Sequence, residues 1–297
     1  MPTPHGGLAL ASYNSLNLTI VLSNSFLYDG VSITKVECAM GTKVVTLMFL
    51  GMSSYTFAAS ASHDVKLGIY ASSITYKEPG VMTEKGLMTG LKGQLSLRNN
   101  ERAILLDLMY SEGDVDYDGS GKMNNVPDRI LEVRGMLGRD LYLQSGYRVT
   151  PYIGLGYRNL NDNSKDMITT TNYIGYEREQ VYWYSPIGIE ILNGVLSGNW
   201  RLGARLEYDY FIAGRNHTYL SSIPGNNDLH FKQNSGSGYR MSVDFTRALS
   251  NITAVTIQPF YKHWDVKQSN TGISGGEVYV EPDNNSTEWG VGLLLSF

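Results

Sequence analysis

Two short clusters hold side chains of the types that do chemistry. Asp114-Val-Asp116-Tyr-Asp118 carries three carboxylates at alternate positions, and Asp228-Leu-His230 sets a carboxylate two residues from an imidazole. Carboxylates and imidazoles are among the groups that move protons. Carboxylates alone are equally at home as solvated loop acids or as loose ligands of a divalent cation. His230 taken singly reads as a surface histidine, and His217 and His263 have no partner at metal-ligand spacing. No zinc motif occurs, so neither a metal nor a cofactor is expected. The Gly-x-Gly pairs Gly154/Gly156 and Gly290/Gly292 lie inside alternating stretches rather than at the head of a helix. They fail as phosphate cradles and read instead as room for bulky neighbours.

The elements that must position these residues are strands. From Ser62 onward the chain falls into ten stretches of apolar/polar alternation, near 64–77, 87–98, 102–113, 129–142, 147–159, 178–193, 199–212, 237–248, 253–266 and 287–297. The seventh is the cleanest. Trp200, Leu202, Ala204, Leu206, Tyr208 and Tyr210 share one face, with Arg201, Gly203, Arg205, Glu207 and Asp209 on the other, a period of two that only a strand gives. Asn99-Asn100, Gln144-Ser145-Gly146, Gly194 to Gly198 and Ser250-Asn251 join strands tightly at one end. At the other end Glu78-Pro79-Gly80 reads as a turn, and long polar loops follow the third, fifth, seventh and ninth strands. Asp114 and Asp116 are expected in the first of these long loops, Asp228 and His230 in the third.

Short turns on one side and long loops on the other are the habit of outer-membrane barrels. The polar face supports this, because charges of both signs sit at strand centres: Lys92, Asp107, Glu132, Arg134, Arg158, Glu190, Arg201, Arg205, Glu207, Arg240 and Asp244. In a narrow barrel such side chains pair and fill the bore. The expected fold is therefore all-β, a closed antiparallel transmembrane β-barrel of about ten strands, with eight or twelve also compatible. In hydrocarbon no strand edge can stay open, so the last strand must pair with the first. Tyr182, Trp183, Tyr184, Trp200, Tyr210, Tyr261 and Trp264 are expected in the aromatic girdles at the two interfaces.

Composition agrees. Twenty-one Tyr and 32 Gly accompany few charged residues, and the formal net charge is -4, without the basic patch that nucleic acid requires. The single cysteine, Cys38, excludes an intrachain disulfide. From Met40 the order is Lys43, an apolar run Val44 to Phe57, then Ala58-Ala59-Ser60-Ala61. That is the order of a signal peptide over 40–61, cut before Ser62, and the run is too short for a spanning helix. Residues 1–39 then read as an upstream start-site misassignment or, alternatively, as a long pre-region removed with the signal, and 62–297 as the barrel of a Gram-negative outer membrane.

The final stretch alternates Trp289, Val291, Leu293, Leu295 and Phe297 with Gly290, Gly292, Leu294 and Ser296. It resembles the C-terminal signature of bacterial outer-membrane proteins, which implies recognition by the barrel-assembly machinery through the strand ending at Phe297. Strand count and loop placement also resemble the omptins, ten-stranded outer-membrane endoproteases. By loop order Asp114 and Asp116 fall where the omptin carboxylate pair lies, and Asp228 and His230 where its Asp/His pair lies. The resemblance implies that the Asp/His pair acts as base and orients a water held by the opposite carboxylates. The first expectation is nonetheless a non-enzymatic barrel, with a bore filled by side chains and loops that meet lipopolysaccharide, a host surface or another envelope protein. The alternatives are an omptin-like endopeptidase and a small-solute channel.

Overall fold

The computed structural model describes residues 62–144, 146–193 and 199–297, and upstream of them only backbone strands Ala11–Tyr13, Leu18–Phe26, Ser32–Met40 and Lys43–Gly51. The chain divides into two units, Met1–Ser60 and Ala61–Phe297. In the first, the four strands pair antiparallel in sequence order. The expected cleavage position falls in 52–61, outside the described residues, as do Ser145 and the expected turn Gly194 to Gly198.

The second unit is a barrel of ten strands: β1 Ser62–Glu78, β2 Met82–Asn99, β3 Arg102–Asp118, β4 Lys122–Arg139, β5 Arg148–Asn163, β6 Glu177–Leu192, β7 Trp200–Thr218, β8 Gly236–Ala248, β9 Ala254–Val266 and β10 Asn284–Ser296. Each pairs antiparallel with its sequence neighbour. The ring closes where β10 pairs with β1 from Asn285↔Lys77 to Ser296↔Lys66. Beyond the last register pair, Phe297 N donates to Val65 O at 3.1 Å, so pairing at the seam runs to the final residue. Among the described residues no helix is long and apolar enough to cross a membrane; the strands do the crossing, as hydrocarbon demands.

Faces follow the alternation. Ile69, Leu106, Val133, Ile153, Ile187, Leu206, Met241, Ile257 and Leu293 are exposed apolar residues on the outside, one from nearly every strand. Positions of opposite parity face inward, among them the buried polar Asp107, Glu132, Arg134, Glu207, Arg240, Thr256 and Gln258. In β5 and β6 this inward face shows why a glycine is needed. A Cβ on Gly156 would lie 2.2 Å from the Tyr184 ring, which packs over it from the register-paired position.

Two expectations are corrected. The stretch after the third strand is not a long loop: β3 runs on to Asp118 and β4 begins at Lys122, because Val115, Met123 and Val126 extend the buried face and pack with Ile74, Met88 and Ile130. Asp114 and Asp116 thus lie on a strand. The girdle set also divides. Trp183, Trp200 and Tyr210 are exposed outside, whereas Tyr182, Tyr184 and Trp264 form a buried cluster with Phe211 and Val266 within the barrel. An aromatic near a strand end is assigned by parity, and these three share the parity of Arg158, Gln180 and Lys262.

Candidate functional site

Parity places the predicted residues. In β3 the odd positions from Ala103 to Val115 face inward, so Asp114 and Asp116 project outward and are exposed. Asp114 pairs with Leu87 and Pro127, and Asp116 Oδ1 accepts from Asn125 N at 3.2 Å. On β7 an irregularity between Trp183 and Tyr184 of β6 shifts the register, after which Gly214, Asn216 and Thr218 are buried while Arg215 is exposed and His217 partly exposed. The short strand Leu229–Gln233 adds to this extended edge, bringing His230 opposite His217.

Asp228, His217 and His230 therefore come together. The two imidazole rings lie 4.0 Å apart, the Tyr219 ring is 3.8 Å from His217, and His217 Nε2 is 3.7 Å from Asp228 Oδ2. Hydrogen bonds from Ser221, helped by the charge of His217, hold the Asp228 carboxyl below its ordinary value. The partner of His230 that spacing alone did not reveal is thus His217, thirteen positions upstream, because the intervening chain forms a hairpin of irregular length. Asp114 and Asp116 do not join this group: β4, β5 and β6 stand between β3 and β7 around the ring.

The inward face carries the molecule's dense electrostatics. Asp140 binds Arg98, whose Nη2 lies 2.5 Å from Glu190. Glu190 accepts from Arg205 at 2.9 Å, Arg205 meets Asp107 at 2.8 Å, and Asp107 binds Arg134. Arg134 also binds Glu207, which lies 3.2 Å from Arg240. Arg240 binds Asp209 and Glu132; Lys262 then bridges Glu132 at 3.4 Å and Glu288 at 3.2 Å, and Arg158 lies 4.0 Å from Glu288. The contacts form one unbroken chain of ion pairs along and across the bore. Tyr152 and Tyr184 add hydroxyl donors to Glu207 and Glu132 at 2.8 and 2.6 Å. Buried charges persist only when paired this fully.

Space in the bore is distributed unevenly. At the turn end a cavity of about 510 Å³ is lined by Lys66, Arg98, Glu190, Arg201, Arg205 and Asp244 among others. Deeper in, beside Arg134, Arg240 and Met109, lies a small cavity of about 30 Å³, the space of a water or two. At the loop end, Arg178 of β6 gathers Glu78, Glu84, Asp162 and Glu281. Among the described residues no group of three or more His, Cys, Asp or Glu is arranged to hold a metal ion.

No protein-family model matches the chain, and no curated protein sequence matches it. Solved structures do. The outer membrane protease OmpT from Escherichia coli superposes with a TM-score of 0.51 at 10% identity, covering 83% of this chain and 99% of that one. Neisserial surface protein A covers 80% of this chain and 99% of its own at 14% identity, with a TM-score of 0.32. The translocator domain of autotransporter NalP from Neisseria meningitidis covers 80% and 89% at 10% identity, with a TM-score of 0.39. The likeness to OmpT is one of fold. Together with the sealed ring of ten strands and its apolar exterior, it makes this chain a closed ten-stranded antiparallel β-barrel of the membrane-spanning kind.

Proposed function

We propose that the protein is a non-conducting, non-enzymatic barrel of the Gram-negative outer membrane that presents its outer loops to lipopolysaccharide, a host surface or another envelope protein. The observation that carries this reading is the continuous ion-pair chain from Asp140 to Arg158, which runs along and across the bore. A solute would have to separate buried pairs to pass, and each costs several kcal/mol to break. Export would use the signal peptide over 40–61 with cleavage near Ala61, and assembly would use the strand ending at Phe297. Function then rests on the loop end, where a rigid wall holds up polar segments.

Planar bilayers test this directly. Refolded protein should give no discrete conductance steps, and steady ion passage would replace this reading with the small-solute channel. A second reading, omptin-like proteolysis, draws support from the grouping of Asp228, His217 and His230. Refolded protein should leave a fluorogenic dibasic peptide intact. Cleavage that disappears in Asp228→Ala or His230→Ala would establish the endopeptidase instead.

A further inference from the structure

The loop end of the bore holds far more acid than base. Glu78 of β1, Glu84 of β2, Asp128 of β4, Asp162 of β5 and Glu281, in the connection from β9 to β10, are each less than one-tenth exposed. One guanidinium serves them. Arg178 binds Glu78 and lies 3.4 Å from Glu84, 3.4 Å from Asp162 and 3.7 Å from Glu281. Farther inward Arg158 also faces Asp128. The remaining titratable neighbours are phenols: Tyr76, whose hydroxyl lies 3.1 Å from Glu78 and 3.2 Å from Glu281, the half-buried Tyr176 and the buried Tyr182. Gln180 donates to Glu281 at 3.0 Å, while β3 and β7 contribute the uncharged Val115, Asn216 and Thr218 to this end of the inward face.

Two further observations show how closely the acids are crowded. Asp128 and Asp162 are register partners across β4 and β5, and each keeps an Oδ1 that is buried and without a hydrogen-bond partner. The carboxyls of Glu84 and Asp162 also crowd one nitrogen, each lying 3.4 Å from Arg178 Nη2. Two carboxyls that share a single cationic nitrogen repel each other when both are ionised, which favours a proton on one of them. Buried negative charge in such excess is relieved by a cation or by protons. The carboxylates surround Arg178 and are not arranged to enclose a metal ion.

We propose that this cluster is a proton-dependent latch on the outer mouth. While the carboxyls hold their protons, Glu281 ties the connection 267–283 to β1 and β6; their loss sets like charges against one another and releases that connection. The inference goes beyond the closed-bore reading, since the mid-barrel ion pairs stay in place when the latch opens. Glu281, which lies outside the spanning strands, supports it. Burial, opposed by Arg178 and reinforced by Glu78, pushes its carboxyl up to about 7. The folded value lies above the ordinary 4.5, so the proton's contribution to stability is complete below that ordinary value and is lost as pH rises through about 7.

Hydrogen exchange of the refolded full chain at pH 5.5 and 8.5, corrected for intrinsic rates, tests the latch. Protection across 267–283 should fall by about tenfold or more at the higher pH, while β7, β8 and β9 hold theirs. The double variant Glu84→Gln/Asp162→Asn, which keeps the pair neutral, should retain protection at pH 8.5. Glu281→Gln alone, a change in the connection itself, should move the opening midpoint upward. Equal protection at both pH values in the unaltered chain, or a midpoint unmoved by either variant, overturns the proposal. Loss of protection at pH 5.5 on adding EDTA overturns it too, because a bound metal would then be doing the work. Bilayer conductance is read separately: silence at both pH values leaves the closed-bore reading standing whatever the latch does.

Discussion

Arg240 shows how single residues hold this interior together. Its guanidinium binds Asp209 and Glu132, reaches Glu207 at 3.2 Å, donates to the Tyr184 hydroxyl at 3.0 Å and lies over the Tyr184 and Trp264 rings. Removing it leaves the buried Asp209 without an ion-pair partner and takes one cation each from Glu132 and Glu207. Arg240→Met should therefore cost about 3–5 kcal/mol in urea unfolding from detergent or lipid, the range found when one partner of a buried pair is deleted. Replacing an exposed surface cation such as Arg139, which pairs with Glu101 at 2.6 Å with both side chains more than half exposed, should cost under about 1 kcal/mol. Equal losses at the two sites would show that the interior pairs are solvated.

Strands are where the amino-acid sequence spoke most plainly. Period-two alternation located all ten, and it placed Leu206 outside and Arg205 inside, as the structure does. Leu206→Arg should accordingly destabilise by about 2–4 kcal/mol near the bilayer midplane, with the size of the loss read by denaturant titration in lipid vesicles. A loss near zero would mean that the position lies outside the hydrocarbon. Strand ends were harder to read. The run from Ser111 to Pro127 is rich in Asp, Gly and Asn and looks like a loop, yet its sparse apolar residues are spaced to continue the buried face of β3 and β4. The aromatic girdle was misread for a related reason: Tyr182 and Trp264 have the size and location of interface anchors, but parity turns them inward. At the candidate site, the meeting of His217 with His230 depends on a register set by the loop between them, which local pattern does not encode. The acid cluster around Arg178 draws one residue from each of several strands, so no window of sequence displays it.

At the scale of the molecule, the interior is organised in layers. An open cavity lies at the turn end, a mesh of paired charges fills the middle, and a crowd of acids around one arginine sits beneath the loops. The wall needs every strand to close, and most of its contacts join residues distant in sequence, an arrangement that folds slowly. The seam between β10 and β1 has one more implication. Phe297 lies beside Val65, three residues along β1 from its first residue Ser62, on the rim that also carries the turns Asn99-Asn100 and Ser250-Asn251. A gene rearranged to splice those ends through a short flexible bridge, and to begin instead at Asn251, should still yield a heat-modifiable band on a gel. Failure of that permuted chain to mature would mean that where synthesis starts and stops matters to this cylinder in a way its circular hydrogen bonding does not.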